Sequence, residues 1–238
     1  MTRTIFLFTF LAFLASCTAQ QFPKSLKDLT TIGSELSSGE VEEGLRAALE
    51  KGVKVATEKV SIEGGYLNDV QIRIPFPPEM QKVETRLRGM GMDALVDDFI
   101  ETLNHGAEEA AKEAKPIFLN AIRQMTIQDA VNILRGDNDE ATQYLKRTTT
   151  AQLTEKFQPV IQAALEKTGA TRYYSNIVTT YNSIPFTQKV NPNLDEYATE
   201  LAIDGLFVKI AEEEEKIRLN PAARTSEILR KVFGQQGN

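Results

Sequence analysis

The feature that most constrains this chain is a helical apolar period that recurs along almost all of it. Val41, Leu45, Ala48, Leu49, Gly52 and Ala56 follow one another at mostly three- and four-residue steps, which places them on one face of an α-helix. The period returns with Met80, Val83 and Leu87, with Leu95, Phe99 and Leu103, and with Ile117, Phe118, Ala121 and Ile122. It continues through Val131 and Leu134, then Ala141, Tyr144 and Leu145, then Leu153, Phe157, Val160, Ile161 and Leu165. Tyr173, Ile177 and Tyr181 centre another helix, Leu194 to Ile210 a long one, and Ile228, Leu229 and Val232 a short last one. One stretch departs. Val70 to Pro78 alternates apolar and polar before its prolines, and reads as one short strand or an extended arm. The expected fold class is all-α: a single multi-helix domain of about eight to ten helices with a short extended Pro-rich arm, preceded by a signal peptide.

Punctuation between the periodic segments sets the expected boundaries. Ser37-Ser38 precede the first helix, Gly64 to Asp69 is turn-rich, and Pro78 suits a first helical turn that runs to Gly89 and Gly91. A break is expected at Lys115-Pro116. Thr126-Ile127-Gln128-Asp129 resembles a capping box with Asp in place of Glu or Gln. Gly136 stops that helix, and Asp137-Asn138-Asp139 is expected to cap the next. Thr148-Thr149-Thr150 is expected to mark a corner, and Pro159 to kink or divide the helix around it. A loop from Ser183 ends at Asn193, which can cap the long helix that Pro221 terminates. No repeat or composition shift divides the chain, so one domain is expected over residues 38–234, with a tail at 235–238.

The amino terminus carries an address. Arg3 precedes an apolar run from Ile5 to Leu14, interrupted only by Thr9, and small residues follow. This is the pattern of a secretory signal peptide over residues 1–16, and the run is too short to span a bilayer. Leu14-Ala15-Ser16-Cys17 also resembles the lipobox of bacterial lipoproteins. That resemblance implies lipidation of Cys17, with a thioether-linked diacylglycerol and an amine-linked acyl chain. Residues 17–37 would then be a lipidated tether. Thr18, where an Asp would signal inner-membrane retention, leans towards the outer membrane, facing the periplasm. Loss of the leader leaves 222 residues and shifts the formal charge from −6 to −7.

Composition excludes several chemistries. The acidic balance of 27 basic against 33 acidic side chains argues against a nucleic-acid partner. One Cys and one His supply neither a disulfide nor a thiolate–imidazole zinc cage, and no cofactor motif is present. Asp97 and Asp98 are adjacent, so they point about 100° apart on a helix and read as one solvated and one capping or salt-bridging group. His105 lies near Glu101, Glu108 and Glu109; Glu101 and Glu109 are four residues either side of it, giving a Glu-His-Glu face that reads as surface or capping. Asp137 to Thr148 fails the calcium-loop pattern. Glu212 to Glu215 reads as a solvated face with local ion pairs. Gln143, Tyr144, Arg147 and Thr148 form two neighbouring polar rows. With Asp204 or Arg224 nearby they are the candidate ligand or structural cluster, because Arg147 offers a planar donor fork for a carboxylate or phosphate.

Several ordered segments carry a resemblance to a known family. They are Tyr66 to Pro78, Val96 to Phe99, Glu113 to Phe118, Gln124 to Ala130, Ala141 to Thr149, Asp204 to Phe207, Asn220 to Thr225 and Lys231 to Gly234. Together they resemble bacterial proteins with the domain of unknown function 4197, over roughly residues 25–234. The resemblance implies an exported or lipid-anchored protein and brings no catalytic residues. The expected function is therefore that of a lipid-anchored, periplasm-facing helical protein acting by binding, as an envelope partner or scaffold. The alternative is a helical carrier of a small apolar or anionic ligand, and a third reading is an enzyme using Arg147 with a carboxylate.

Overall fold

Periodic apolar faces and well-supplied helix ends produce eight α-helices among the described residues. They are α1 (Ser38–Val60), α2 (Gln81–Gly89), α3 (Asp93–Ala111), α4 (Ala114–Gln124), α5 (Ile127–Arg135), α6 (Glu140–Thr168), α7 (Ala170–Asn182) and α8 (Leu194–Leu219). The computed structural model describes residues 37–183, 185, 189–191 and 193–219, without the side chains of 38, 173, 180 and 181. The expected leader, Cys17, Pro221, Arg224 and the expected last helix lie outside the described residues. No strand occurs among those described.

The helix ends show how the backbone's orphan groups are satisfied. At α1 the Ser37 hydroxyl accepts the Glu40 N–H at 3.3 Å, and the Glu40 carboxylate accepts the Ser37 N–H at 2.8 Å. Thr126 and Asp129 repeat this reciprocal box at α5, at 3.1 and 2.9 Å. A cap of this kind stabilises a helix by about 1 kcal/mol. The carboxyl end of α4 is closed from outside. Arg46 on α1 donates to the carbonyls of Arg123 and Met125, where a cation also suits the helix dipole.

Three expected boundaries are corrected. The break near Lys115-Pro116 falls earlier, between Ala111 and Ala114, so Pro116 sits in the first turn of α4, where its missing N–H has no helical partner to lose. Thr148 to Thr150 turn no corner: α6 runs through them. Their hydroxyls donate back to the carbonyls of Tyr144, Leu145 and Lys146 at 2.9, 2.6 and 2.7 Å, so the helix accommodates them. Nor does Pro159 divide α6. Phe157, Ile161 and Leu165 around it are fully buried, and that packing outweighs the roughly 3 kcal/mol that a helical proline costs.

The core is built around α6. It packs along α3, α4 and α8, and α8 packs in turn along α1. Gly106 on α3 faces Ile161 and Ala164 of α6. Phe118 of α4 meets Phe207 of α8 edge-on, with centroids 5.8 Å apart.

Between α1 and α2 the chain forms turns and then an extended arm, residues 61–77, with no ladder partner. Side chains of α3 serve instead. Asn104, fully buried, accepts the Ile74 N–H at 2.8 Å and donates to the carbonyls of Ile74 and Ile100, each at 2.8 Å. One turn on, the Glu108 carboxylate accepts the N–H groups of Tyr66 and Leu67 at 3.0 and 3.2 Å. The alternation of residues 70–74 is only partly an extended arm. Residues 70–72 turn, with the Ile72 and Arg73 N–H groups on the Asp69 carbonyl and Val70 93% exposed, and Ile74 is the residue stitched to α3. Tyr66 then reaches α8, donating to the Ala202 carbonyl at 2.6 Å. It fits there because position 205 is glycine: a Cβ would sit 3.0 Å from both Tyr66 and Ile72.

Candidate functional site

The described residues at the two chain ends lie at one pole of the molecule. Ser37 opens α1, whose Arg46 reaches Met125, and Leu219 closes α8, whose Glu214 reaches the start of α6. From there α6 extends about 40 Å to Thr168 at the opposite pole, where α2, the start of α3 and α7 enclose a cleft of about 550 Å³. That volume falls within the range of small-molecule sites.

The cleft is apolar by construction. Phe76 and Phe99 stack obliquely on one side, with centroids 4.9 Å apart. Val83 and Leu87 of α2 face Leu95 of α3, and Tyr174 and Ile177 of α7 complete the lining. The Tyr174 hydroxyl donates to the Asn191 carbonyl at 3.3 Å. Burial, then the charge of Glu79, pushes its pKa up to about 12, so it stays neutral. Thr102 and Thr168 donate to the carbonyls of Asp98 and Leu165 in their own helices, at 2.8 and 3.0 Å. No side chain of α2 itself is buried. The helix is held to α3 at its carboxyl end, where Arg88 bonds Glu84, Asp93 and Asp97 at 3.1, 3.4 and 2.9 Å. Asp97 is thereby the salt-bridging member of the adjacent pair, and Asp98 the solvated one, although both are exposed.

Among the described residues the sequence-derived cluster is divided between separate ion pairs and one cleft. Arg147 is 60% exposed and pairs with Glu140 at 3.2 Å. Asp204 pairs with Lys146 at 3.0 Å. Gln143 donates to Asp139 at 2.9 Å. Tyr144 and Thr148 do share a second, polar cleft of about 310 Å³ with Asn120, Gln124, Asp129 and Gln152. Its groups are largely engaged by the fold: Tyr144 donates to the Ala121 carbonyl at 3.2 Å, and Asp129 caps α5. The last candidate, Arg224, lies outside the described residues.

The Glu-His-Glu face is corrected in its membership. His105 bonds Glu101 at 3.2 Å and Glu108, not Glu109, at 2.7 Å. Glu109 pairs with Lys112 at 2.6 Å. The Glu108 hydrogen bond, helped by Glu101, raises the His105 pKa above the ordinary value against partial burial. Among the described residues no three His, Cys, Asp or Glu side chains converge as a metal-holding group, and no helix is long and apolar enough to cross a membrane.

Two buried polar clusters were not visible in the sequence. Glu214, read as part of a solvated face, is buried. It accepts the N–H groups of Ala141 and Thr142 at 3.0 and 2.8 Å and the Thr142 hydroxyl at 2.7 Å. It therefore caps α6 in place of Asp137 to Asp139, and Asp139 makes no side-chain cap. Arg218 bonds Glu214 at 2.8 Å and the Ile133 carbonyl at 2.9 Å. Lys209, only 2% exposed, bonds Asp69, Glu212 and Gln71 at 2.8, 2.5 and 2.6 Å. Burial works against its charge, but Asp69 and Glu212 outweigh it and hold Lys209 above the ordinary lysine value. Lys209 and the Gln71 N–H hold Asp69 below its own ordinary value despite its partial burial. A signal existed in the spacing: residues 210, 214 and 217 share the buried stripe.

Segments that carried the family resemblance meet in space, through Tyr66 on Gly205, Phe118 on Phe207 and Lys146 on Asp204. No curated protein and no solved structure matches the chain. A family model described as "Protein of unknown function (DUF4197)" matches residues 35–234, and the chain belongs to that family.

Proposed function

We propose that this is a lipid-anchored, periplasm-facing envelope protein, on the outer membrane, that works by binding an aliphatic ligand in the cleft beside α2. The supporting observation is the apolar cleft of about 550 Å³ at the pole away from both described termini. Between α1, α6 and α8 the described core is closed to about 20 Å³, as suits a rigid frame. The sequence alternative of a helical carrier is thus favoured over a pure scaffold. Arg147 is not among the residues lining this cleft.

Anchoring at Cys17 would leave twenty residues before Ser37, a tether spanning at most about 70 Å. The cleft would then face away from the attachment point, open to exchange with the periplasm. Two measurements test the reading. Purification from membranes followed by mass spectrometry is expected to recover an aliphatic ligand, and Leu95→Asp is expected to abolish that recovery. Metabolic palmitate labelling is expected to vanish in Cys17→Ala; label that survives there overturns the anchor.

A further inference from the structure

Resting on the cleft as the binding site, we infer that it discriminates ligands by head-group charge, taking cationic and neutral aliphatic amphiphiles and rejecting anionic ones. The hydroxyls of Thr102, Thr168 and Tyr174 on its wall are all donated to main-chain carbonyls. Among the described residues the charged residue on the lining is Asp98, whose main-chain carbonyl takes the Thr102 hydroxyl while its carboxylate has no hydrogen-bond or ion-pair partner. The nearest basic group of the α2–α3 junction, Arg88, is engaged by three other carboxylates, those of Glu84, Asp93 and Asp97. An apolar chain lying against Leu95 and Phe99 would therefore present its head to an unpartnered acid.

A fatty-acid carboxylate there meets the like charge of Asp98. An ammonium head gains a charge-assisted hydrogen bond, and a hydroxyl head gains a neutral one. For unit charges about 4 Å apart in a water-like medium, the interaction is about 1 kcal/mol, or about five-fold in affinity. This narrows the carrier alternative drawn from the sequence, which allowed an anionic ligand. Arg147, the group meant to hold such an anion, sits on the side of α6 that pairs with Glu140.

The test uses the chain from Thr18 to Asn238, which omits only the expected leader and its cysteine. A neutral apolar fluorophore bound in the cleft is displaced by dodecylammonium, dodecanol or dodecanoate, each below its micelle concentration, at pH 7 and low salt. Dodecylammonium is expected to displace it at least five-fold more tightly than dodecanoate, with dodecanol between them. The gap is expected to shrink below two-fold in Asp98→Asn and in 0.5 M salt, where charges are screened within a few ångströms. Dodecanoate binding as tightly as dodecylammonium, or a gap that survives Asp98→Asn, overturns the charge selection while leaving the cleft in place. Fluorophore binding that is absent, or unchanged by Leu95→Asp, overturns the cleft itself.

Discussion

At the pole holding the described termini, the space left between α1, α6 and α8 is about 20 Å³, room for roughly one water-sized probe. At the opposite pole the cleft beside α2 reaches about 550 Å³. Both are lined mainly by aliphatic side chains, so hydrophobicity does not separate them. What differs is the polar framework. At the closed pole Glu214 and Arg218 tie α8 to α5 and α6, and Arg46 ties α1 to α4, so hydrogen bonds cross-link three junctions, those of Glu214 to α6 fully buried. At the open pole α2 is secured by the exposed Arg88 pairs and by nothing buried on its own length. Apolar surface closes into a core where polar groups fix the helix ends, and stays open where they do not.

Substitutions separate the two poles by size of effect. Glu214→Ala is expected to cost about 3–5 kcal/mol in urea unfolding, because it leaves buried donors of α6 and the Arg218 charge without their carboxylate. Asn104→Leu is expected to cost about 2–3 kcal/mol by the same measurement, since the buried N–H and C=O of Ile74 lose their partners. Tyr66→Phe removes a single hydrogen bond to the Ala202 carbonyl, and about 1 kcal/mol is expected.

The His105 contribution is smaller and depends on pH. Its raised pKa means that the folded chain holds the proton more tightly than the unfolded chain. That stabilisation is complete below the unfolded value of about 6.5 and fades as pH rises through the higher folded value. Urea midpoints of the wild type are expected to fall through that window, while those of His105→Gln stay level; parallel curves would remove His105 from the network.

Smallest in stability is Leu95→Asp, at 53% exposure, for which no more than about 0.5 kcal/mol is expected. Yet it is the variant expected to lose ligand. If it unfolds the protein as Glu214→Ala does, the open pole is a structural core and the contrast fails.

How far these features could be read from sequence varied with their range. The Thr126–Asp129 box was legible because its partners are three residues apart and need nothing from elsewhere. The helical periods of α1, α3 and α5 were legible for the same reason. Local reasoning failed where a distant residue supplied the missing interaction. The Asp137 to Asp139 cap was displaced by Glu214, more than seventy positions away, and the threonine corner was absorbed into a helix buried on α3 and α8. Glu214 was misread because four consecutive glutamates average to a charged surface, while its spacing from Ile210 and Ile217 places it on the buried stripe. The cluster around Arg147 was grouped by helical adjacency, which cannot say which neighbour each row meets. In the structure Asp204 went to Lys146 instead.

By itself the sequence determined the all-α class, most helix starts and stops, and the segments that mark the family, since these depend on interactions within a few residues. Its single cysteine also remains the basis of the proposed anchor. Only the tertiary structure decided which carboxylates are buried, that the alternating arm pairs with Asn104 rather than with a strand, and that the space beside α2 stays open. Burial is a property of faces meeting across the whole chain. A helix can announce that it has an apolar face, but not whether another will cover it.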